Sequence, residues 1–332
     1  MRRQLFLILC AGFLVLRLDC KNGDYVPDPT AGLYHNYEEV DNGLHQLASD
    51  NSRIAQVTSI GKSLEGRELW AIKISDHVTS EEDEPCIALL GAHHAREWIS
   101  VDVPFLIAEY FLDHYAADTT ITRFIDNAEI WIVPMVNPDG HQYSVMKDRL
   151  WRKNRRNNGD GTYGVDLNRN YSHEWGGPGS SGDTYSETYR GPLPFSEPES
   201  RVIRDFLTDL QPDVMISYHN YSQLILYPWG HTYDPADDEA LLDKLAVRMS
   251  EEIKAVHGVT YRPGQSSTLY LASGDTVYWQ YALLGVPAFT IELRPRSMNP
   301  GFVLPEDEIQ PTFDENLAAV KYLMDWMITG RE

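Results

Sequence analysis

The residues at 91–100, G-A-H-H-A-R-E-W-I-S, place two imidazoles, a guanidinium and a carboxylate directly after an apolar run, 86–90. His94 and Glu97 are three apart, so a nitrogen and an oxygen donor converge on one ion if the chain begins to coil there. A His and a Glu at helical spacing on a solvated face give the same pattern, so this pair is ambiguous alone. His219 follows a second apolar stretch, 213–218, and precedes Asn220, Tyr221, Ser222 and Gln223, none of which a core requires. Two nitrogens and one carboxylate are the donor complement of a hydrolytic zinc with one position left open. Zinc brings the pKa of its water to about 7, and a base must then take up the proton. Glu292, at the end of the apolar run 287–293, is the natural base, with a plain strand-end acid as the alternative.

These groups need elements to carry them. Residues 86–90, 128–136, 213–218 and 287–293 read as strands, and 54–75 alternates around Glu65-Gly66-Arg67 as a hairpin. Helical spacing predicts helices over 37–47, from Ser100 onward (Ser100 as cap, Pro104 near the first turn), over 202–210 behind the capping box 196–199, over 239–257 stopped by Gly258, and over 316–329 stopped by Gly330. Asn137-Pro138-Asp139-Gly140 reads as a turn, and 149–170 as a loop. Strands alternating with helices predict a single α/β domain, a mixed, mostly parallel twisted sheet with helices on both faces. In such sheets the site lies beyond the carboxyl ends of the strands. Three strands here end near His94 and Glu97, His219 and Glu292.

The chain has 332 residues, 42% of them hydrophobic, enough for one large core. Arg2 and Arg3 precede apolar or small residues over 5–16, too short to span a bilayer and suited to a signal peptide over 1–20. Residues 21–33 then form a lead-in, and 34–329 the catalytic domain. A lipid-bearing cysteine at Cys20 or Cys10 is the alternative, and Asp19 argues against it. No later apolar run approaches 18 residues, so the mature chain is expected to be secreted, with no membrane insertion, and monomeric. Losing residues 1–20, with Arg2, Arg3, Arg17 and Asp19, takes the formal charge from −21 to −23. Such acidity excludes nucleic acid as a partner, because phosphate binding needs clustered Lys and Arg. The acidic stretch 234–239 and the loop 157–161 have the composition of a calcium site or of solvated loops. Only Cys86 of the three cysteines survives, so no intramolecular disulfide forms; it reads as a core residue.

The chain resembles the zinc carboxypeptidases of the pancreatic A/B type over about 34–327. The resemblance rests on H-A-R-E-W-I at 94–99, R-L-W-R-K-N at 149–154, G-V-D-L-N-R-N at 164–170, H-N-Y-S-Q-L-I-L-Y-P-W-G at 219–230, L-Y-L-A-S-G at 269–274 and F-T-I-E-L-R at 289–294. It implies that His94, Glu97 and His219 hold zinc, that Asp166 fixes the ring of His94, and that Glu292 is the base. It further implies that Arg152 stabilises the oxyanion, and that Asn168, Arg169 and Tyr270 grip the terminal carboxylate of a peptide or protein substrate. Arg96, Arg149, Tyr221 and Phe302 would line the approach, with solvated loop arginines as the alternative for the first two.

For specificity, Val277 stands where relatives that cleave basic residues carry an acid, and this favours hydrophobic C-terminal residues. Asp275 stands where many relatives have glycine. It either faces the pocket and pairs with a terminal Lys or Arg, or it faces away. The expectation is hydrophobic preference with secondary basic activity. Relatives with an inhibitory prodomain carry roughly a hundred more residues before the catalytic domain, so no large propeptide is expected here. The family's cis peptide after the arginine that follows the base falls at Arg294-Pro295, where cis costs only about 0.5–1 kcal/mol. Two other readings differ from this one at named residues. An amidohydrolase of related fold would lack the Asn168, Arg169 and Tyr270 grip, and an inactive peptide binder would lack Glu292 or a metal donor. His93 has no assigned role.

Overall fold

The structure, a computed structural model, describes residues 32–80 and 82–330. The signal peptide expected over 1–20 and most of the lead-in lie outside the described residues.

Eight strands form one sheet. They are β1 (Ala55–Lys62), β2 (Glu68–Ile74), β3 (Cys86–Leu90), β4 (Glu129–Val133), β5 (Val214–Asn220), β6 (Leu224–Tyr227), β7 (Arg262–Gln265) and β8 (Ala288–Leu293), in the spatial order β1-β2-β4-β3-β5-β8-β6-β7. β3 runs parallel to β4 and β5, and β5 parallel to β8. The expected hairpin β1–β2 is antiparallel, as are β2–β4 and β6–β8. Every residue of β3 and β5 is buried. A strand buried on alternate residues in both directions is covered on both faces, which explains why these two read as continuous apolar runs. Cys86 is buried in this core, as its sequence context required.

The covering helices are α1 (Tyr37–Asp50), α2 (Ile99–His114), α3 (Thr119–Ile125), α4 (Pro138–Met146), α5 (Pro198–Leu210), α6 (Glu239–His257), α7 (Thr276–Leu284) and α8 (Ile309–Thr329). α6 and α8 stop where expected, at Gly258 and Gly330 in left-handed conformation. The peptide bond Arg294–Pro295 is cis, as expected.

Three local expectations are corrected. Ser100 does not cap α2. Trp98 takes that place, and the Ser100 hydroxyl, inside the first turn, donates to the Glu97 carbonyl and accepts from Ala92 N. The turn at 137–140 is the start of α4: Asn137 accepts from Gly140 N, and Pro138 sits in the first turn, where its missing N–H costs nothing. The capping box at 196–199 does not form. Glu199 instead reaches across the chain to accept from Leu64 N at 3.0 Å and Asn154 Nδ2 at 3.2 Å.

Candidate metal centre and active site

The carboxyl ends of β3, β5 and β8 lie side by side, and this adjacency makes the site. After β3 the chain turns at Gly91, where a Cβ would lie 2.1 Å from the Ser100 carbonyl oxygen and 2.5 Å from that of Pro134. No other residue fits there, and the close approach throws His94 and Glu97 into one tight turn closed by Glu97 N to His94 O at 3.2 Å. His219 comes from β5, directly opposite Glu292 of β8 in the parallel register.

His94, Glu97 and His219 are all buried and bring their donor atoms together. His94 Nδ1 is 2.9 Å from Glu97 Oε1, His219 Nδ1 is 3.0 Å from Glu97 Oε2, and the two Nδ1 atoms are 3.1 Å apart. Tetrahedral donors at about 2.0–2.1 Å from a zinc would be about 3.3 Å from one another. The two nitrogens and the two carboxylate oxygens stand near that spacing, so the donor set fits the ion. Burial alone would raise the Glu97 pKa, but His94 and His219 outweigh it and hold it well below the usual range. The group is therefore a carboxylate, as a ligand must be.

Asp166, fully buried, lies 3.2 Å from His94 Nε2 through one oxygen and accepts from Arg152 Nε and Nη2 at 3.1 and 2.9 Å through the other. Its burial is outweighed by Arg152 and His94, which keep it ionised. Arg152 is thus fixed by a forked contact, with its Nη1 4.0 Å from Glu97. Ala95 N donates to the Arg152 carbonyl at 2.9 Å, tying the loop that bears Arg152 to the His94–Glu97 turn. Glu292 accepts no hydrogen bond from any described side chain. Burial, reinforced by the charge of Glu97, pushes its pKa upward, with His219 and Arg152 acting the other way.

Beside these groups lies a cavity lined by His94, His219, Glu292, Asn168, Arg169, Tyr270 and Asp275 and by the apolar Leu226, Leu269, Ala272 and Tyr278. Arg169 spends Nε on the Gly179 carbonyl and Nη1 on the Asn168 carbonyl. Gly179 has φ +74° and would place a Cβ 1.7 Å from Leu271 O, so the loop can pass this close only without a side chain. Tyr270 stands half-exposed at the cavity's edge, 6.0 Å from the Arg169 guanidinium carbon.

Two expectations about the pocket change. Val277 does not line the cavity; it is fully buried in the first turn of α7 and packs into the core. Asp275 does line the cavity, but it is also the N-cap of α7. Its Oδ1 accepts from Val277 N at 2.7 Å and Tyr278 N at 3.4 Å, and its Oδ2 from Asn168 Nδ2 at 2.6 Å. The four residues expected along the approach do cluster. Tyr221 and Phe302 meet edge to face at 5.0 Å, and Arg96 lies 4.2 Å over the Phe302 ring. Arg149 stacks on Trp98 and donates to the carbonyls of Arg96 and Phe302, so it builds this wall. Of the stretches considered for calcium, Asp160 has its oxygens engaged by Thr162 and Thr184.

His93 is the residue that sequence reasoning left without a place. It is fully buried, stacks on His219 with centroids 5.7 Å apart, and its Nε2 lies 3.0 Å from Tyr171 Oη and 2.8 Å from Thr276 Oγ1. Burial, aided by His219 and His94, pushes its pKa well down, so it is a neutral spacer behind His219. Its position next to His94 on a chain leaving a strand was the available signal, since successive residues of an extended chain face opposite ways.

The profile of the zinc carboxypeptidase family matches residues 40–319. Carboxypeptidase B of Astacus astacus is 39% identical over 300 residues, covering 89% of this chain and 97% of that protein. Carboxypeptidase A2 of Rattus norvegicus is 35% identical over 295 residues, covering 88% and 70%. The crystal structure of carboxypeptidase A from Helicoverpa armigera superposes with a TM-score of 0.82 at 29% identity, covering 90% of this chain and 74% of that one. The chain belongs to the zinc carboxypeptidase family. It is a metallocarboxypeptidase, a hydrolase of peptide C-termini, and the family implies zinc.

Proposed function

We propose that this is a secreted, monomeric exopeptidase that prefers hydrophobic C-terminal residues and accepts Lys and Arg more slowly. The observation that carries the reading is the convergence on one cavity of the His94, Glu97 and His219 donors, Glu292 and Arg169. A zinc held by His94, Glu97 and His219 would polarise the scissile carbonyl and acidify the attacking water. Glu292, beside these donors and free of competing hydrogen bonds, takes the water's proton and returns it to the leaving amine. Arg152, held by Asp166, offers its guanidinium to the developing oxyanion in a site sheltered from solvent. Arg169, with the N–H donors it does not spend on backbone, receives the substrate's terminal carboxylate, and Tyr270 closes over it from the edge. Asn168, tied to Asp275 and Thr276, sets the floor of that grip.

The preference follows from the lining. Both oxygens of Asp275 are engaged by protein donors, which favours apolar side chains against Leu226, Ala272 and Tyr278. Its charge, still at the wall, supports the slower basic activity. Glu292→Gln should lower kcat/KM at least about 10²-fold while zinc content stays unchanged. On matched peptides, Phe and Leu ends should be cleaved fastest, Arg more slowly and Glu least; a preference for Glu would overturn the specificity. Secretion is supported by residues 1–20, and their deletion should retain the protein inside the cell.

A further inference from the structure

A second group of metal-type donors stands behind the wall of the substrate cavity. His173, Glu174 and His231 each offer a ligand atom, all within 4.8 Å of one another. The rings of His173 and His231 meet edge to face at 5.0 Å, and both pack on Trp229, at 4.8 and 5.2 Å. Stacking accounts for the ring faces but leaves the nitrogens unexplained. His173 Nε2 and His231 Nδ1 are shielded from solvent and have no hydrogen-bond partner. A buried polar atom without a partner is costly and calls for an explanation, of which a bound ion is one. One ring nitrogen from each histidine beside a carboxylate is a donor set suited to a borderline divalent ion. Glu174 is exposed, so its side chain is free to close the remaining distance, and Glu174 and Asp234 are the carboxylates whose charge reaches His231.

The loops that carry these residues hold the cavity wall between them. Gly274 N donates to the His173 carbonyl at 3.0 Å, and Ala272 N to the Gly230 carbonyl at 2.9 Å. The segment 270–275 therefore lies strapped between the 173 loop and the 231 loop, and it bears Tyr270, Ala272 and Asp275 of the cavity. We propose that His173, Glu174 and His231 form a second site for a divalent transition metal, zinc or a neighbouring first-row ion, whose binding clamps the two loops around this wall.

The test is a zinc titration of the full mature chain after exhaustive chelation, with metal content read after removal of free ion. The parent is expected to bind two equivalents. His173→Phe/His231→Phe, which keeps both rings against Trp229, is expected to bind one and to retain peptidase activity, since its loss leaves His94, Glu97 and His219 intact. If the double variant does not fold, Glu174→Gln, changed at an exposed position, serves in its place and should lose the second equivalent selectively. A parent that saturates at one equivalent, or a folded variant that still binds two, overturns the proposal. Loss of activity with the first equivalent and not the second separates this outcome from failure of the catalytic reading.

Discussion

Glu292 is surrounded by groups that compete over its proton. Burial and Glu97 favour the protonated form, and His219 and Arg152 favour the carboxylate. The unperturbed value is about 4.3. A base displaced upward from there works only once pH has risen past its shifted value, so the acidic limb of kcat/KM should fall between about 4.3 and about 8. A pH–rate profile checks this, and a limb at or below the ordinary glutamate value would sink the assignment of Glu292 as base. Arg169 is testable by shape as well as charge. Arg169→Lys keeps the cation but loses the planar fork, so it should raise KM at least about tenfold, equivalent to about 1.4 kcal/mol, with a smaller change in kcat. An equal fall in kcat would place Arg169 elsewhere in the reaction. Asp275 shows how one side chain can stand at the pocket and carry local structure as well: its Oδ1 caps α7 while its Oδ2 accepts from Asn168.

At the scale of elements, much of the site was legible because its strands are apolar along their whole length. β3, β5 and β8 announce themselves through 86–90, 213–218 and 287–293, and Gly258 and Gly330 mark helix ends by the same left-handed requirement. α7 was not legible, since Thr276–Leu284 is apolar nearly all round and shows no helical stripe. α4 was hidden by Pro-Asp-Gly, a turn signature that here begins a helix. The failed capping box shows a further limit: Glu199 is taken by partners at 64 and 154, far away in sequence, and local pattern carries no information about them. That contact has a pH signature. Burial raises the Glu199 pKa to about 7 from 4.5. Because the folded state then holds the proton more tightly than the unfolded chain, the stabilisation is complete below about 4.5 and is lost as pH rises to about 7. Glu199→Gln, which mimics the protonated form, should match the parent near pH 4 and exceed it above pH 7 by up to about 3 kcal/mol. Urea unfolding at both pH values decides this, and a constant difference between the two proteins would refute it.

At the scale of the molecule, the metal-type donors sit on β5 and in the turn that follows β3, two fully buried strands, and the core exists without them. Chelation should abolish peptidase activity, zinc should restore it, and far-UV circular dichroism should not change in between. Unfolding on chelation would show that the ion, and not the sheet, holds the ends of β3 and β5 together. No helix among the described residues is long and apolar enough to cross a membrane. The fold class was readable from alternating strands and helices, but the order β4-β3-β5-β8 was not, because its pairings join segments far apart in sequence, such as Ile87 with Val214, and leave no local trace.

That strand order also sets a timetable for synthesis. β3 and β5, with His94, Glu97 and His219, leave the ribosome early, whereas β8 pairs with β5 only after Leu293 has been made. His94, Glu97 and His219 are therefore made before Glu292, and a chain that ends short of β8 has the metal donors in its sequence but not the base. On the reading of Glu292 as base, the capacity to cut is the last part of the site to be made.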